Sequence, residues 1–251
     1  MISLAGKRAL VTGGSRGIGR EVVLMLARAG ADVGFSYYTR QREAEEVVEL
    51  ARSEGVRAFA EAGDVSERAF ADRLFDRMRE AFGGADIFVG NAGVWPPRDT
   101  GISEMTDEQW RRTMAVNVDA IFYQTRLAAR QLAESGRIVL VSSTAGQRGE
   151  AGHADYAASK GAVISFVKSI AVELAPRQIT VNSVAPGWVD TEMVEAAITP
   201  ESRGRIEAAI PIGRVASPRD IAGPIVFLCS DLARHITGEI LNVNGGAVLC
   251  G

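Results

Sequence analysis

The chain has 251 residues, 47% of them hydrophobic and 24% charged, with a formal net charge of −3. That composition supplies one large core and excludes a disordered or low-complexity chain. Acidic and basic residues are interspersed, with no basic block and no apolar run of membrane-spanning length, which argues against nucleic acid or a bilayer as partner. Met1 to Lys7 carries no signal-peptide apolar segment, and Cys229 and Cys250 form neither a metal spacing nor a disulfide framework. The expectation is a cytoplasmic protein with free thiols and no metal.

Arg8-Ala9-Leu10-Val11-Thr12 is predicted as a short buried strand. Thr12-Gly13-Gly14-Ser15-Arg16-Gly17-Ile18-Gly19 follows, and then Ile18, Val22, Met25, Leu26 and Ala29 recur at helical spacing up to Gly30. The glycines therefore occupy a strand-to-helix turn. Such a turn aims free N–H groups and a helix dipole at an anion, typically a dinucleotide pyrophosphate. The alternative is a tight turn without ligand. The second strand runs from Asp32 to Tyr37, and its end, Ser36-Tyr37-Tyr38-Thr39-Arg40, lacks the acid that would bond a ribose 2′-OH. Arg16 and Arg40 flank the place where a 2′-phosphate would lie, and an arginine fork suits phosphate. This points to NADP(H) over NAD(H).

An amphipathic helix from Arg40 to Ser53 comes next, with Ala44, Val47, Val48 and Ala51 inward. A third strand, Arg57 to Ala60, leads to Gly63-Asp64-Val65. Asp64 either meets the adenine amino group or caps the next helix, Ser66 to Phe82. The fourth strand, Asp86 to Gly90, runs into Asn91-Ala92-Gly93 at a strand's carboxyl end, where open α/β sheets bind ligands. A purely structural turn is the alternative. Thr106-Asp107-Glu108-Gln109 reads as a helix N-cap, opening a long helix to about Leu132. Asn117 falls inside that helix, where asparagine is a poor former, so a buried role bonding backbone or water is expected.

Strand five spans Gly136 to Val141 and ends at Ser142-Ser143. The next helix, Asp155 to Ala175, carries Tyr156 and Lys160 four residues apart on one face. A tyrosine hydroxyl normally titrates near ~10, and an adjacent ammonium ion favours its ionised form. Such a pair exchanges protons with a reacting group. Strand six, Ile179 to Ala185, ends at Pro186-Gly187. Trp188 to Ile212 shows few helix or strand signals and reads as a substrate-covering segment or a surface excursion. Ser217-Pro218 starts a final helix, and Glu239 to Val243 is a last strand. Alternating strands and helices predict a single doubly wound Rossmann domain over 1–251, with a seven-stranded parallel sheet flanked by helices.

Taken together, Thr12-Gly13-x-x-x-Gly17-x-Gly19, Asp64, Asn91-Ala92-Gly93, Asn117, Ser143, Tyr156 with Lys160, Pro186-Gly187-x-x-x-Thr191 and Asn242-x-Asn-Gly-Gly246 resemble the short-chain dehydrogenase/reductase family over nearly the whole chain. Within it the chain is most similar to the 3-oxoacyl-[acyl-carrier-protein] reductases. The resemblance implies a hydride-transferring oxidoreductase of fatty acid biosynthesis or related chemistry. It implies that Tyr156 donates a proton, that Ser143 rather than Ser142 holds the carbonyl oxygen, and that Lys160 lowers the tyrosine pKa and reaches the ribose. Asn117 would anchor a water beside Lys160. Cofactor contacts are implied at Gly13, Ser15, Arg16, Gly17, Ile18, Gly19, Ser36, Tyr37, Arg40, Asp64, Val65, Asn91, Ala92, Gly93, Tyr156, Lys160, Pro186, Gly187, Val189 and Thr191.

The chain departs from the carrier-protein reductases at Val94-Trp95-Pro96-Pro97, a form also found among sugar and secondary-alcohol members. One carrier-docking arginine position is filled by Arg177, but the other holds Glu134, an acid that repels an acidic acyl carrier protein. The expected reaction is therefore NADPH-dependent reduction of a 3-oxoacyl-thioester-like ketone, with a sugar or alcohol dehydrogenase as alternative and a non-catalytic nucleotide-binding regulator as a remote one. The Tyr156 helix is apolar over more than one stripe, at Val163, Ile164, Phe166, Val167, Ile170, Ala171, Val172 and Leu174. A partner copy packing there predicts a homotetramer, or a dimer.

Overall fold

In the computed structural model, which describes residues 2–249, the apolar runs form seven parallel strands. These are β1 (Arg8–Val11), β2 (Asp32–Tyr37), β3 (Ala58–Ala62), β4 (Ala85–Gly90), β5 (Leu132–Val141), β6 (Thr180–Pro186) and β7 (Ile240–Val243). They lie in the order β3-β2-β1-β4-β5-β6-β7. Strands buried on both faces need no polar alternation, and β6 is buried at every position. Side chains still alternate between faces. Val11, Phe35, Ile87, Val89 and Val139 join one core cluster, while Leu10, Phe88, Ile138 and Leu140 join the other.

Helices cover each cluster. On one side lie α1 (Gly17–Arg28), α2 (Gln41–Ser53) and α9 (Pro218–Leu228). On the other lie α3 (Arg68–Phe82), α5 (Ala120–Gln131) and α7 (Ala154–Leu174). The remaining helices, α4 (Asp107–Met114), α6 (Ala145–Arg148) and α8 (Pro200–Ala208), border the carboxyl ends of the strands or the segment above them. The strand order reverses between β1 and β4, which opens a crevice at their carboxyl ends, the usual ligand position of such sheets.

Several boundaries differ from expectation. The long helix is not continuous: Ala115–Asp119 forms a π turn between α4 and α5, and Asn117 sits in it. Thr106 does cap the start, accepting from the Gln109 amide at 3.2 Å. β5 begins at Leu132, because that residue already pairs with Ala85 before the register shifts. α3 starts at Arg68 rather than Ser66. Trp188 to Ile212 contains a short 3-10 turn, Glu192–Val194, and the helix α8. α8 had a readable signal, since Thr199 and Ser202 form a capping box around Pro200. It lacks an apolar stripe of its own and is held through Ile198, Ile206 and Ile210 in a small separate cluster.

Cys229 is a buried free thiol whose ionisation burial disfavours, pushing its pKa up to about 12. Cys250 lies outside the described residues. Among the described residues no helix is long and apolar enough to cross a membrane, and no group of three His, Cys, Asp or Glu side chains is arranged to hold a metal ion.

Candidate active site

A cavity of about 300 Å³ opens along the carboxyl ends of the strands. Every residue expected to contact cofactor lines it, from Gly13 through Thr191, and so do Ser143, Tyr156 and Lys160. Asn117 does not line it and stands behind the wall.

The turn between β1 and α1 is built for close approach. Gly13 and Gly17 have φ of +70° and +53°, a region side chains disfavour. At Gly19 a Cβ would lie 2.0 Å from the Gly13 carbonyl oxygen, so only glycine closes this turn. Neighbouring strands fix it from two sides. The Gly13 amide donates to Ser36 Oγ at 3.2 Å, and Asn91 Nδ2 donates to the carbonyls of Thr12 and Gly13 at 2.9 and 3.2 Å. Thr12 Oγ1 accepts in turn from the Asn91 and Ala92 amides. Both Ser36 and Asn91 are therefore scaffolding for the turn as well as lining.

Asp64 lines the cavity and is held by neighbouring protein groups. Its Oδ1 accepts from the Ser66 amide and hydroxyl at 2.8 and 2.6 Å, and its Oδ2 pairs with Arg112 at 3.0 Å. Burial works against its ionisation, but these bonds outweigh it and hold the carboxyl below its usual range. It shapes the loop before α3 without being that helix's cap, which is Glu67. Arg112 is a pocket-lining cation that pattern reading passed over, since nothing local distinguishes it from other helix-surface arginines.

Ser143, Tyr156 and Lys160 come together at the end of β5. Ser142 turns toward β6, bonding Val184 O and Ser183 Oγ, so Ser143 is the serine that faces Tyr156. Ser143 Oγ also accepts from the Ala145 amide at 3.1 Å, which fixes its rotamer at the start of α6. Lys160 is buried and its Nζ donates to Val141 O at 2.9 Å. It lies 5.7 Å from the centre of the Tyr156 ring. Burial pushes Lys160 down to about 8 and Tyr156 up to about 12, and the bond to Ser143 pulls the tyrosine the other way. The expected lowering of the tyrosine by Lys160 is thus not the dominant influence on the free side chain; desolvation is. Asp155, fully buried beside them, accepts from Thr113 and Gln109 at 2.7 and 3.2 Å and ties α7 to α4.

Asn117 sits in the π turn with its side chain bonded outside its own helix. Its Nδ2 donates to Val94 O and Ser159 Oγ at 2.9 and 3.0 Å, and its Oδ1 accepts from the Val94 amide at 2.8 Å. The side chain thus clamps the chain leaving Gly93 onto α7. A Cβ built on Gly93 would lie 3.1 Å from Asn117 Oδ1 and 3.4 Å from Lys160 Nζ, so both atoms border that glycine.

In the segments that follow Val94 and Gly187, Trp95 stacks on His153 at 4.3 Å and meets Trp188 edge-on at 6.3 Å. His153 Nε2 bonds Pro96 O at 2.9 Å. Arg16 and Arg40 converge as expected, but on a protein group: both bond Glu192 Oε2, at 2.6 and 3.1 Å. Glu192 lies 176 and 152 residues away from them in sequence, so no local pattern pointed to it. Arg177 and Glu134 pair with each other at 2.9 Å, and the arginine's other nitrogens bond the carbonyls of Ala129 and Leu132.

Dinucleotide fits this crevice on two observations. The glycine turn leaves no space for side chains against the strand ends, and two lining arginines converge on one anionic oxygen at the cavity's edge.

The family model described as enoyl-(acyl carrier protein) reductase matches residues 13–248. Two relatives named 3-oxoacyl-[acyl-carrier-protein] reductase align over almost their whole length. The one from Aquifex aeolicus is 38% identical over 247 residues, covering 98% of each chain. The one from Vibrio cholerae is 40% identical over 247 residues, again covering 98% of each. Among solved structures, a short chain dehydrogenase from Burkholderia cenocepacia in complex with NADP superimposes with a TM-score of 0.92 at 39% identity, covering 97% of this chain and 98% of that one. A glucose/ribitol dehydrogenase from Brucella melitensis also gives 0.92, at 32% identity and 99% coverage of both.

Proposed function

The chain belongs to the short-chain dehydrogenase/reductase family of oxidoreductases, and on that premise we propose that it reduces a ketone of the 3-oxoacyl-thioester kind to a secondary alcohol with NADPH. The observation that carries this reading is the convergence of Ser143, Tyr156 and Lys160 on one wall of the cavity whose other wall is the glycine turn. The nicotinamide, when bound, supplies the hydride. The protein's task is to orient the ketone and deliver a proton.

Ser143 Oγ, fixed by the Ala145 amide, holds the carbonyl oxygen. Tyr156 stays protonated across the neutral range, because burial raises its pKa, and gives its proton to that oxygen as negative charge develops. The tyrosinate left behind is stabilised by the Lys160 ammonium, an attraction strengthened by the same burial that raised the cost of ionisation. Asn117 Oδ1 retains a lone pair beside Lys160, a suitable anchor for the water through which the pair regains its proton. Pro186, Gly187 and Val189 would meet the nicotinamide, and Thr191 its amide or phosphate. Arg16 and Arg40 would take the 2′-phosphate, with Ser36, Tyr37 and Val65 around the adenosine.

Arg177 has its nitrogens committed to Glu134 and two backbone carbonyls, which favours a small thioester or ketone over an acyl-carrier-protein cargo. The departure at Val94-Trp95-Pro96-Pro97, a form shared with sugar and secondary-alcohol members, supports a second reading, an NAD(P)-dependent dehydrogenase of secondary alcohols or sugars with the same proton chemistry. Assembly is read as a homotetramer in the cytoplasm. The deciding experiment follows NADPH oxidation by its absorbance against acetoacetyl thioesters, simple ketones and keto sugars, and the reverse reaction with alcohols. Turnover of the thioester or ketone above the sugars is the expected result. Turnover of sugars alone would replace this reading by the second.

A further inference from the structure

The Arg16–Glu192–Arg40 junction carries more than a cofactor preference. Arg16 lies in the glycine turn just before α1, Arg40 precedes α2, and Glu192 opens the 3-10 turn just after Thr191. A single carboxylate oxygen receives both guanidinium groups. Arg40 is held from its other side by Glu43 at 3.0 Å. The three side chains of the junction are each about half exposed, at 47–48%, so solutes reach them. Thr191 meanwhile packs on the glycine turn: a Cβ on Gly17 would lie 3.4 Å from Thr191 Cγ2. Glu192 therefore latches the start of the 188–212 segment across the cavity mouth, and its oxygen stands in for a phosphate oxygen in the fork.

We infer that Glu192 is a cofactor-specificity residue that competes with the 2′-phosphate of NADP(H) for Arg16 and Arg40, a deduction that rests on the NADPH reading above. A phosphate monoester carries nearly two negative charges at neutral pH. It and the carboxylate repel each other, and the fork cannot give the same donors to both. Entry of NADP(H) therefore breaks both Glu192 ion pairs and frees the segment they latch. NAD(H) has a hydroxyl at that position and leaves the latch closed. The acid lowers affinity for the phosphorylated cofactor selectively and couples its arrival to release of the covering segment.

The test is a fluorescence titration of NADPH and of NADH against wild type, Glu192→Gln and Arg40→Ala at one ionic strength. Glu192→Gln should bind NADPH about three- to tenfold more tightly, as expected for losing exposed pairs and a like charge, and NADH within about twofold of wild type. High salt should shrink the NADPH gain. Arg40→Ala separates the two levels of the argument. If it leaves NADPH affinity intact, the fork is wrong and the competition falls with it. If it weakens NADPH while Glu192→Gln fails to strengthen it, the fork stands and the latch is refuted. Equal tightening of both cofactors by Glu192→Gln would also overturn selectivity.

Discussion

At the residue scale the proposed chemistry rests on one hydroxyl. Tyr156→Phe keeps the ring and removes the proton donor, so steady-state reduction of a good ketone should fall by roughly 10²–10⁴-fold with NADPH binding retained. Retention of the wild-type rate would remove Tyr156 from the mechanism. Lys160 adds a pH signature. Burial lowers its pKa to about 8, so its charge is present below that value and is lost as pH rises through it. Tyr156, raised to about 12, stays protonated throughout. The kcat/KM for ketone reduction should therefore be level in mild acid and fall on the alkaline side of about 8, as the ammonium that stabilises the tyrosinate deprotonates. A profile level well beyond that point would show that the Lys160 charge is not needed in the rate-determining step. The same shift has a sign for stability. A lysine whose folded pKa lies below its unfolded value binds fewer protons when folded, so this site opposes folding at neutral pH and its penalty disappears as pH rises above the unfolded value.

At the element scale two pieces behave oppositely. The glycine turn is rigid because Ser36, Asn91 and Thr12 bond it on both sides. Gly19→Ala would force a methyl to within 2.0 Å of the Gly13 carbonyl. The turn should open, with a lower melting temperature and loss of dinucleotide affinity, both read by thermal melting with and without NADPH. The 188–212 segment is attached more lightly, by its own small cluster, by backbone bonds of Trp188 and Asp190 to Ala216 and of Ile212 to Gly245, and by the half-exposed Glu192 pairs. Few buried contacts mean cheap local opening. Hydrogen exchange at the start of this segment should quicken with NADPH alone, as the Glu192 pairs break, and slow across the segment once a substrate analogue is added to that complex, as a covering element orders. Strong and equal protection in all these states would make it fixed scaffold.

At the scale of the whole molecule the open question is association. α7 buries Val163, Val167 and Ala171 against the sheet and leaves Val172 77% exposed. On the same side of the sheet, α5 exposes Phe122 at 44%. Apolar surface of this kind fits a partner helix. Phe166, one of the apolar positions of this helix, does not point outward. It is half-buried and packs on the core, so a charge there would damage the fold as well as an interface. Val172→Glu is the cleaner probe. Light scattering of the wild type should give a mass several times the 26.7 kDa of one chain, and Val172→Glu should reduce it without lowering the melting temperature greatly. A wild-type mass near that of one chain would refute the assembly.

The sequence by itself determined the parallel α/β architecture, the glycine turn, the serine–tyrosine–lysine set and the two arginines. Most are encoded locally, in continuous apolar runs, an i, i+4 spacing and glycines just after a strand, while Ser143 came through the family resemblance. It also flagged Asn117 as anomalous, because asparagine competes with helix bonds wherever it lies. What only the tertiary structure decided depends on partners distant in the chain. The clamp of Asn117 on Val94 and Ser159, the pairing of Asp64 with Arg112, the neutralisation of Arg177 by Glu134 and the seat of Glu192 between Arg16 and Arg40 all join segments 23 to 176 residues apart. Hydrogen bonds and charges act over a few ångströms in space and are indifferent to sequence distance, so no periodicity records them.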